Sequence, residues 1–238
     1  MPLARACAVG LVGLQGHLVE VEAHLSSGLP AFTLVGLPDA ALSESRDRVR
    51  AAILNSGEAF PPRRITVGLS PASLPKRGSG YDLALAVAVL AGSGALPASS
   101  LEDVVLLGEL GLDGRVRGVR GVLPSVLAAA ESGASIVVVP RANAAEALLV
   151  PGIEVMPVRT LGELLARLRG DAQALEDEPE PAPSTGAPPV EAGLDLADVL
   201  GQVQGRFALE VAAAGGHHLF LLGPPGVGNT TSRFGGPR

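Results

Sequence analysis

Tryptophan is absent from this 238-residue chain, tyrosine and cysteine occur once each, and aromatic residues make up only 3% of it. A single cysteine, Cys7, excludes an intrachain disulfide and fits a reducing, cytoplasmic setting, where it reads as a small core residue. With so few rings, the core must be built from Ala, Val and Leu; apolar residues still reach 47%, enough for a substantial interior. Long apolar runs are missing too. The longest, Leu83–Ala91, falls far short of the ~20 residues of a membrane-spanning helix, so no membrane partner is expected. Arg5 followed by Ala6–Leu14 faintly resembles a signal peptide, but glycines and a strict strand alternation follow it. Nor is there a basic excess. The net charge is −6, and residues 171–191 hold six acids and no base, which leaves the remainder formally neutral. The acidity therefore belongs to a linker and says nothing about a folded surface.

What is present reads first as β-structure. In His17–Leu25, Val19, Val21, Ala23 and Leu25 share one face and Glu20, Glu22 and His24 the other, the period of a half-buried strand. Ala31–Leu37 is a second strand, ended by Gly36 and Pro38. Asp39 is placed to cap a helix running to about Asn55, with Leu42, Ser45, Val49, Ala52 and Ile53 on one face. Arg64–Ser70 alternates as a strand, and Asp82 is placed to cap an apolar helix to about Gly92 that is buried on most sides. Val104–Leu107 and Arg115–Val116 flank Asp113-Gly114, a hairpin-turn dipeptide. Helices near 122–132, 144–149 and 160–169 then alternate with strands at 136–139 and 153–158. The order predicts a two-layer α+β domain over residues 1–170. Residues 171–193, with five prolines and clustered acids, read as a flexible linker.

From about residue 194 a further module begins. A helix over about 201–214 leads to an apolar strand, His218–Leu222, and then to Gly223-Pro224-Pro225-Gly226-Val227-Gly228-Asn229-Thr230. A strand followed by G-x-x-x-x-G-K-[ST] and a helix cradles nucleotide phosphates on backbone N–H groups, with the lysine on the terminal phosphates and the hydroxyl on Mg²⁺. Here the lysine position holds Asn229, an amide without charge and shorter by two atoms, which cannot offset the charge on a γ-phosphate. Ser232–Arg238, rich in Gly and Pro, replaces the expected helix and its dipole. The expectation is a reading frame disrupted near Asn229, with no ATP hydrolysis by this chain, no catalytic residue and no metal site; Thr230 would be an Mg²⁺ ligand only in an intact module.

Several stretches together resemble the YifB/ComM family of magnesium-chelatase-like AAA+ ATPases. They are Val35-Gly-Leu-Pro-Asp-Ala40, Glu44-Ser-Arg-Asp-Arg-Val-Arg50, Arg64-Ile-Thr-Val-Gly-Leu-Ser-Pro71, Tyr81-Asp-Leu-Ala-Leu-Ala86, Gly108-Glu-Leu-Gly-Leu-Asp-Gly114, Arg120-Gly-Val-Leu-Pro124 and the approach to Gly223. The resemblance implies a first domain with the fold of the Lon protease proteolytic domain, shared with a ribosomal protein. It implies residues 194–238 as the start of an AAA+ module, with Asp195–Gln202 passing near the adenine. It also implies Mg-ATP as cofactor, self-association into a hexameric ring, and DNA as a partner in a ComM-like role in natural transformation.

The same resemblance raises a Ser-Lys peptidase as a rival. Four residues after Lys76, where such enzymes hold the serine, stands Gly80, and the partner lysine position holds Leu123. Ser79 with Lys76 is the substitute pair; the preferred alternative is a serine in a Gly-rich turn and a lysine on the surface, so no peptidase activity is expected. For nucleic acid, Arg46, Arg50, Arg64 and Lys76 are candidate contacts within a set that also includes Arg48, Arg63 and Arg77. Neutrality and the lack of interleaved aromatics favour a plain solvated surface instead. His17, His24, His217 and His218 lack metal-ligand spacing. A stand-alone interaction or assembly module is the competing function.

Overall fold

The computed structural model describes residues 3–76, 78–171, 203–217 and 219. The chain divides into two compact units, Met1–Glu176 and Asp177–Arg238. In the first, β1 (Leu3–Val12), β2 (Gln15–Ser26), β3 (Ala31–Val35), β4 (Arg64–Ser70), β5 (Val104–Leu106), β8 (Ile136–Pro140) and β9 (Glu154–Val158) form one seven-stranded sheet. Their order is β3-β4-β2-β1-β5-β8-β9, with β3 and β9 at the edges. The β1–β2 and β2–β4 pairs are antiparallel and the other four are parallel. The stretch resembling a signal peptide is thus a central strand. Helices α1 (Ala40–Ser43), α2 (Ser45–Asn55), α3 (Asp82–Ser93), α4 (Val122–Glu131), α5 (Ala144–Ala147) and α6 (Leu161–Arg169) complete this unit.

The alternation read in the sequence is realised: Val19, Val21, Ala23 and Leu25 of β2 and Ile65, Val67 and Leu69 of β4 are all buried. They meet α3, ten of whose twelve residues are buried, together with α2 and the apolar face of α6. The expectation of two layers needs correction. Cys7, Val9 and Leu11 of β1, Val105, and Val137 and Val139 of β8 form a second apolar cluster with Val122, Val126 and Ala129 of α4. Their neighbours Ala6, Ala8, Leu106 and Val138 belong to the first. Side chains alternate across a strand, so both faces of this half of the sheet are covered and it has three layers. Beyond the part of β2 that α4 covers, the outer face of β2 and β4 carries Glu20, Glu22, His24 and Thr66, half-buried to exposed.

Three local expectations also change. The helix after Asp39 is broken in two at Glu44: Asp39 Oδ1 accepts the Leu42 N–H at 2.8 Å, but the buried Ser45 hydroxyl takes the Leu42 carbonyl at 2.6 Å and competes with the helical ladder. Asp82 is the first residue of α3 and does not cap it; its carboxylate accepts from Arg48 at 2.8 and 3.2 Å and from the Leu110 N–H at 3.2 Å. The Asp113-Gly114 turn, with Gly114 at φ +81°, joins β6 (Glu109–Leu110) to β7 (Val116–Arg117), whereas Val104–Leu106 lies in the main sheet. The reason lies at Gly108, whose N–H and C=O bond Gly80 and Leu83 at 3.1 and 3.2 Å and draw the chain off the sheet. Thr160 caps α6 as expected, accepting the Glu163 N–H at 3.1 Å. In the second unit α7 (Val203–Gly215) matches the predicted helix. Residues 172–202, and with them most of the expected linker, lie outside the described residues.

Candidate functional site

The loop between β4 and α3 carries Lys76 and Ser79, the substitute pair for a Ser-Lys peptidase. Lys76 is fully buried, contrary to the surface position expected for it. Its Nζ donates to the Pro71 carbonyl, and its backbone bonds Leu37 O and Asp39 N–H at 3.3 and 3.1 Å, so it pins the loop to the turn before α1. Burial lowers its pKa from the ordinary lysine value. Ser79 Oγ donates to the Glu109 carboxylate, not to Lys76. A carboxylate is far too weak a base to generate a serine alkoxide. Leu123 lies in the first turn of α4, its N–H bonded to Glu146 at 2.9 Å. The arrangement organises a loop and contains no dyad.

Among the candidate nucleic-acid contacts, Lys76 is excluded by this burial, because a cation with its donors turned to Pro71 cannot reach a phosphate. Arg48 turns inward as well. Its side chain closes on Asp82, which has no exposed surface. Burial pushes the Asp82 carboxyl upward against the pull of Arg48, while the bond to Asp82 raises the Arg48 pKa.

Arg46 and Arg50 do come together, and Arg63 joins them. They line a cavity of about 420 Å³ with Phe32, Phe60 and Pro30 at the β3 edge of the sheet. The Arg50 guanidinium lies 5.5 Å from the centre of the Phe60 ring, and the two phenylalanine rings are 6.4 Å apart. Arg46 also meets Asp47 at 3.2 Å on the exposed face of α2. A smaller hollow of about 220 Å³ continues along Phe32, Thr33 and Leu34 past Ser43 and Arg46. Arg64 is exposed at the start of β4, outside the lining of both. Aromatics and arginines that are not interleaved in sequence are therefore interleaved in space. The run Phe60-Pro-Pro-Arg-Arg64 is the signal that sequence reasoning passed over.

The phosphate-loop candidates Gly223, Pro224, Pro225, Gly226, Val227, Gly228, Asn229 and Thr230 lie outside the described residues, as do Arg77 and His218. Among the described residues no cluster of His, Cys, Asp and Glu is placed to hold a metal ion, and no helix is long and apolar enough to cross a membrane. Cys7 is half-buried in β1, and burial raises its thiol pKa.

Comparison with known proteins bears on this geometry. The family profile described as subunit ChlI of Mg-chelatase matches residues 21–143, and a second, magnesium chelatase subunit ChlI, matches 195–233. An uncharacterised protein of Mycobacterium tuberculosis is 58% identical over 230 residues, covering 97% of this chain and 45% of its own. The uncharacterised protein YifB of Escherichia coli is 45% identical over 227 residues, covering 94% and 44%, and the competence protein ComM of Haemophilus influenzae 42% over 233, covering 97% and 45%. The chain thus spans a little under half the length of these relatives. A weaker likeness, 29% over 163 residues, reaches the Lon protease of Rhizobium meliloti, covering 63% of this chain and 20% of that one.

Proposed function

The chain belongs to the magnesium-chelatase-like YifB/ComM family, and from that premise we propose that residues 3–171 act as a non-catalytic, protein-interacting domain joined to the start of a nucleotide-binding module. The observation that carries this reading is the fate of Lys76 and Ser79. Both positions nearest a peptidase dyad are committed to bonds that hold a loop, while an open groove stands on the same domain. A Lon-like scaffold without its chemistry retains only its surfaces to work with.

The wider role proposed for the assembled protein is that of a cytoplasmic, ring-forming, Mg-ATP-dependent motor that processes DNA; one relative is named a competence protein. DNA contact by Arg46, Arg50 and Arg64 is a second reading. It is disfavoured because Asp47 offsets Arg46, Arg48 is tied to Asp82, and Lys76 is buried.

When bound, Mg-ATP would supply the free energy of phosphate release. The residues present fit it only in part: Gly223, Gly226 and Gly228 offer backbone N–H groups and Thr230 a hydroxyl, but Asn229 brings no cation. Isothermal titration with Mg-ATP tests the point. The wild-type chain is expected to bind at least ten-fold more weakly than a chain with both Asn229→Lys and a restored C-terminal module, about 1.4 kcal/mol or more. Micromolar binding by the wild type overturns the reading.

A further inference from the structure

We infer that the edge strand β3 and helix α2 form a docking groove for an extended acidic peptide, which adds to the sheet as a further strand. The inference deepens the protein-interaction reading above by naming the chemistry of the partner. The Ala31 N–H bonds the Arg63 carbonyl at 3.4 Å, and the parallel register runs from Ala31↔Arg64 to Val35↔Gly68. In such a ladder alternate residues face the partner strand, so Ala31, Thr33 and Val35 serve β4 while the N–H and C=O groups of Phe32 and Leu34 point away from it. Among the described residues those outward groups have no backbone partner.

Sheet edges are ordinarily blunted by charge, proline or a covering element. Within Ala31–Val35 there is no charged residue and no proline. Instead the two hollows run along this edge, with Phe32 and Leu34 as one wall and α2 as the other. A strand edge beside a helix is the setting in which extended peptides are captured by strand addition, main-chain bonds giving affinity and pockets reading alternate side chains.

Charge selects the occupant. Three arginines, Arg46, Arg50 and Arg63, face this space against one aspartate, Asp47. Arg46 and Arg50 are one helical turn apart, about 6 Å. Successive same-face side chains of an added strand are about 6.7 Å apart. Acidic residues at alternate positions of a peptide therefore meet successive arginines. A second copy of the chain offers no such match through its own β3, whose residues are all uncharged.

The test uses the full chain and a fluorescein-labelled octapeptide of alternating Val and Glu, followed by fluorescence anisotropy. Saturable binding is expected, weakened at least ten-fold by N-methylation of alternate peptide nitrogens and at least ten-fold by the double variant Arg46→Glu/Arg50→Glu. Both arginines are exposed, so that variant should unfold at the wild-type temperature; the N-methylated peptide reads the same claim without altering the protein. Absence of saturable binding overturns the inference, as does binding indifferent to N-methylation, which would mark charge alone. Tighter binding of a twelve-residue oligo-dT that displaces the peptide would assign the groove to nucleic acid, and sedimentation as a dimer dispersed by Leu34→Pro would assign the edge to a second copy. Failure of peptide binding would leave the committed bonds of Lys76 and Ser79 untouched, so the two readings fail separately.

Discussion

Tyr81 is the only tyrosine in a chain without tryptophan, so its phenol can be followed alone in absorbance near 295 nm. It sits at the start of α3 with 3% of its surface exposed, and burial, helped by the charge of Asp39, pushes its pKa up to about 12. The unfolded chain ionises this group near pH 10. Below that pH both states hold the proton and the contribution of Tyr81 to stability is complete. As pH rises from 10 to 12 the unfolded state loses its proton first, and stability falls by roughly 2–3 kcal/mol. Urea unfolding across that range should show the wild type losing stability relative to Tyr81→Phe; parallel curves would contradict the burial argument. Lys76 is the residue where reading and structure diverge most. A lysine beside Pro75 in a Gly-rich loop reads as solvated, and only the fold of Leu37–Asp39 over it shows that it is a fastening.

Packing between elements depends on the scarcity of large side chains noted at the outset. The β1 strand presents Ala4, Ala6 and Ala8 to α3, which lets that helix lie close to the sheet. On the other face Gly16 of β2 does the same for α4: a Cβ placed there would lie 2.5 Å from Ala128 Cβ and 2.9 Å from the Pro124 carbonyl. Because the second obstacle is backbone, α4 would have to move. Gly16→Ala is expected to cost about 1–3 kcal/mol, seen as a lower urea midpoint with an unchanged slope. A neutral Gly16→Ala would mean that α4 is looser on the sheet than this geometry allows. The periodicity of β2, β4 and α2 was readable because each has one polar face. The partner of the Asp113-Gly114 turn was not, since Val104–Leu107 and Glu109–Leu110 are both short and nothing local says which strand turns back.

For the molecule as a whole, every described core residue except Leu209 lies before Asp171. A chain ended at Asp171 is therefore expected to unfold cooperatively within about 3 °C of the full chain, a shift of about 1 kcal/mol or less for a domain of this size. A calorimetric scan that is broad, or far lower in temperature, would show that residues beyond Asp171 complete the core. By itself the sequence determined most strands and helices of this domain and the faces they bury, because a period of two or 3.6 is written in consecutive residues. It also placed an uncharged amide at Asn229. Only the tertiary structure decided that β3 ends the sheet with the backbone N–H and C=O groups of Phe32 and Leu34 directed away from β4, that Phe60 comes to lie beneath Arg50, and that both faces of the β1–β5–β8 half are covered. Those facts depend on strand order and on contacts between residues far apart in the chain, and no local pattern of side chains encodes which strand lies beside which.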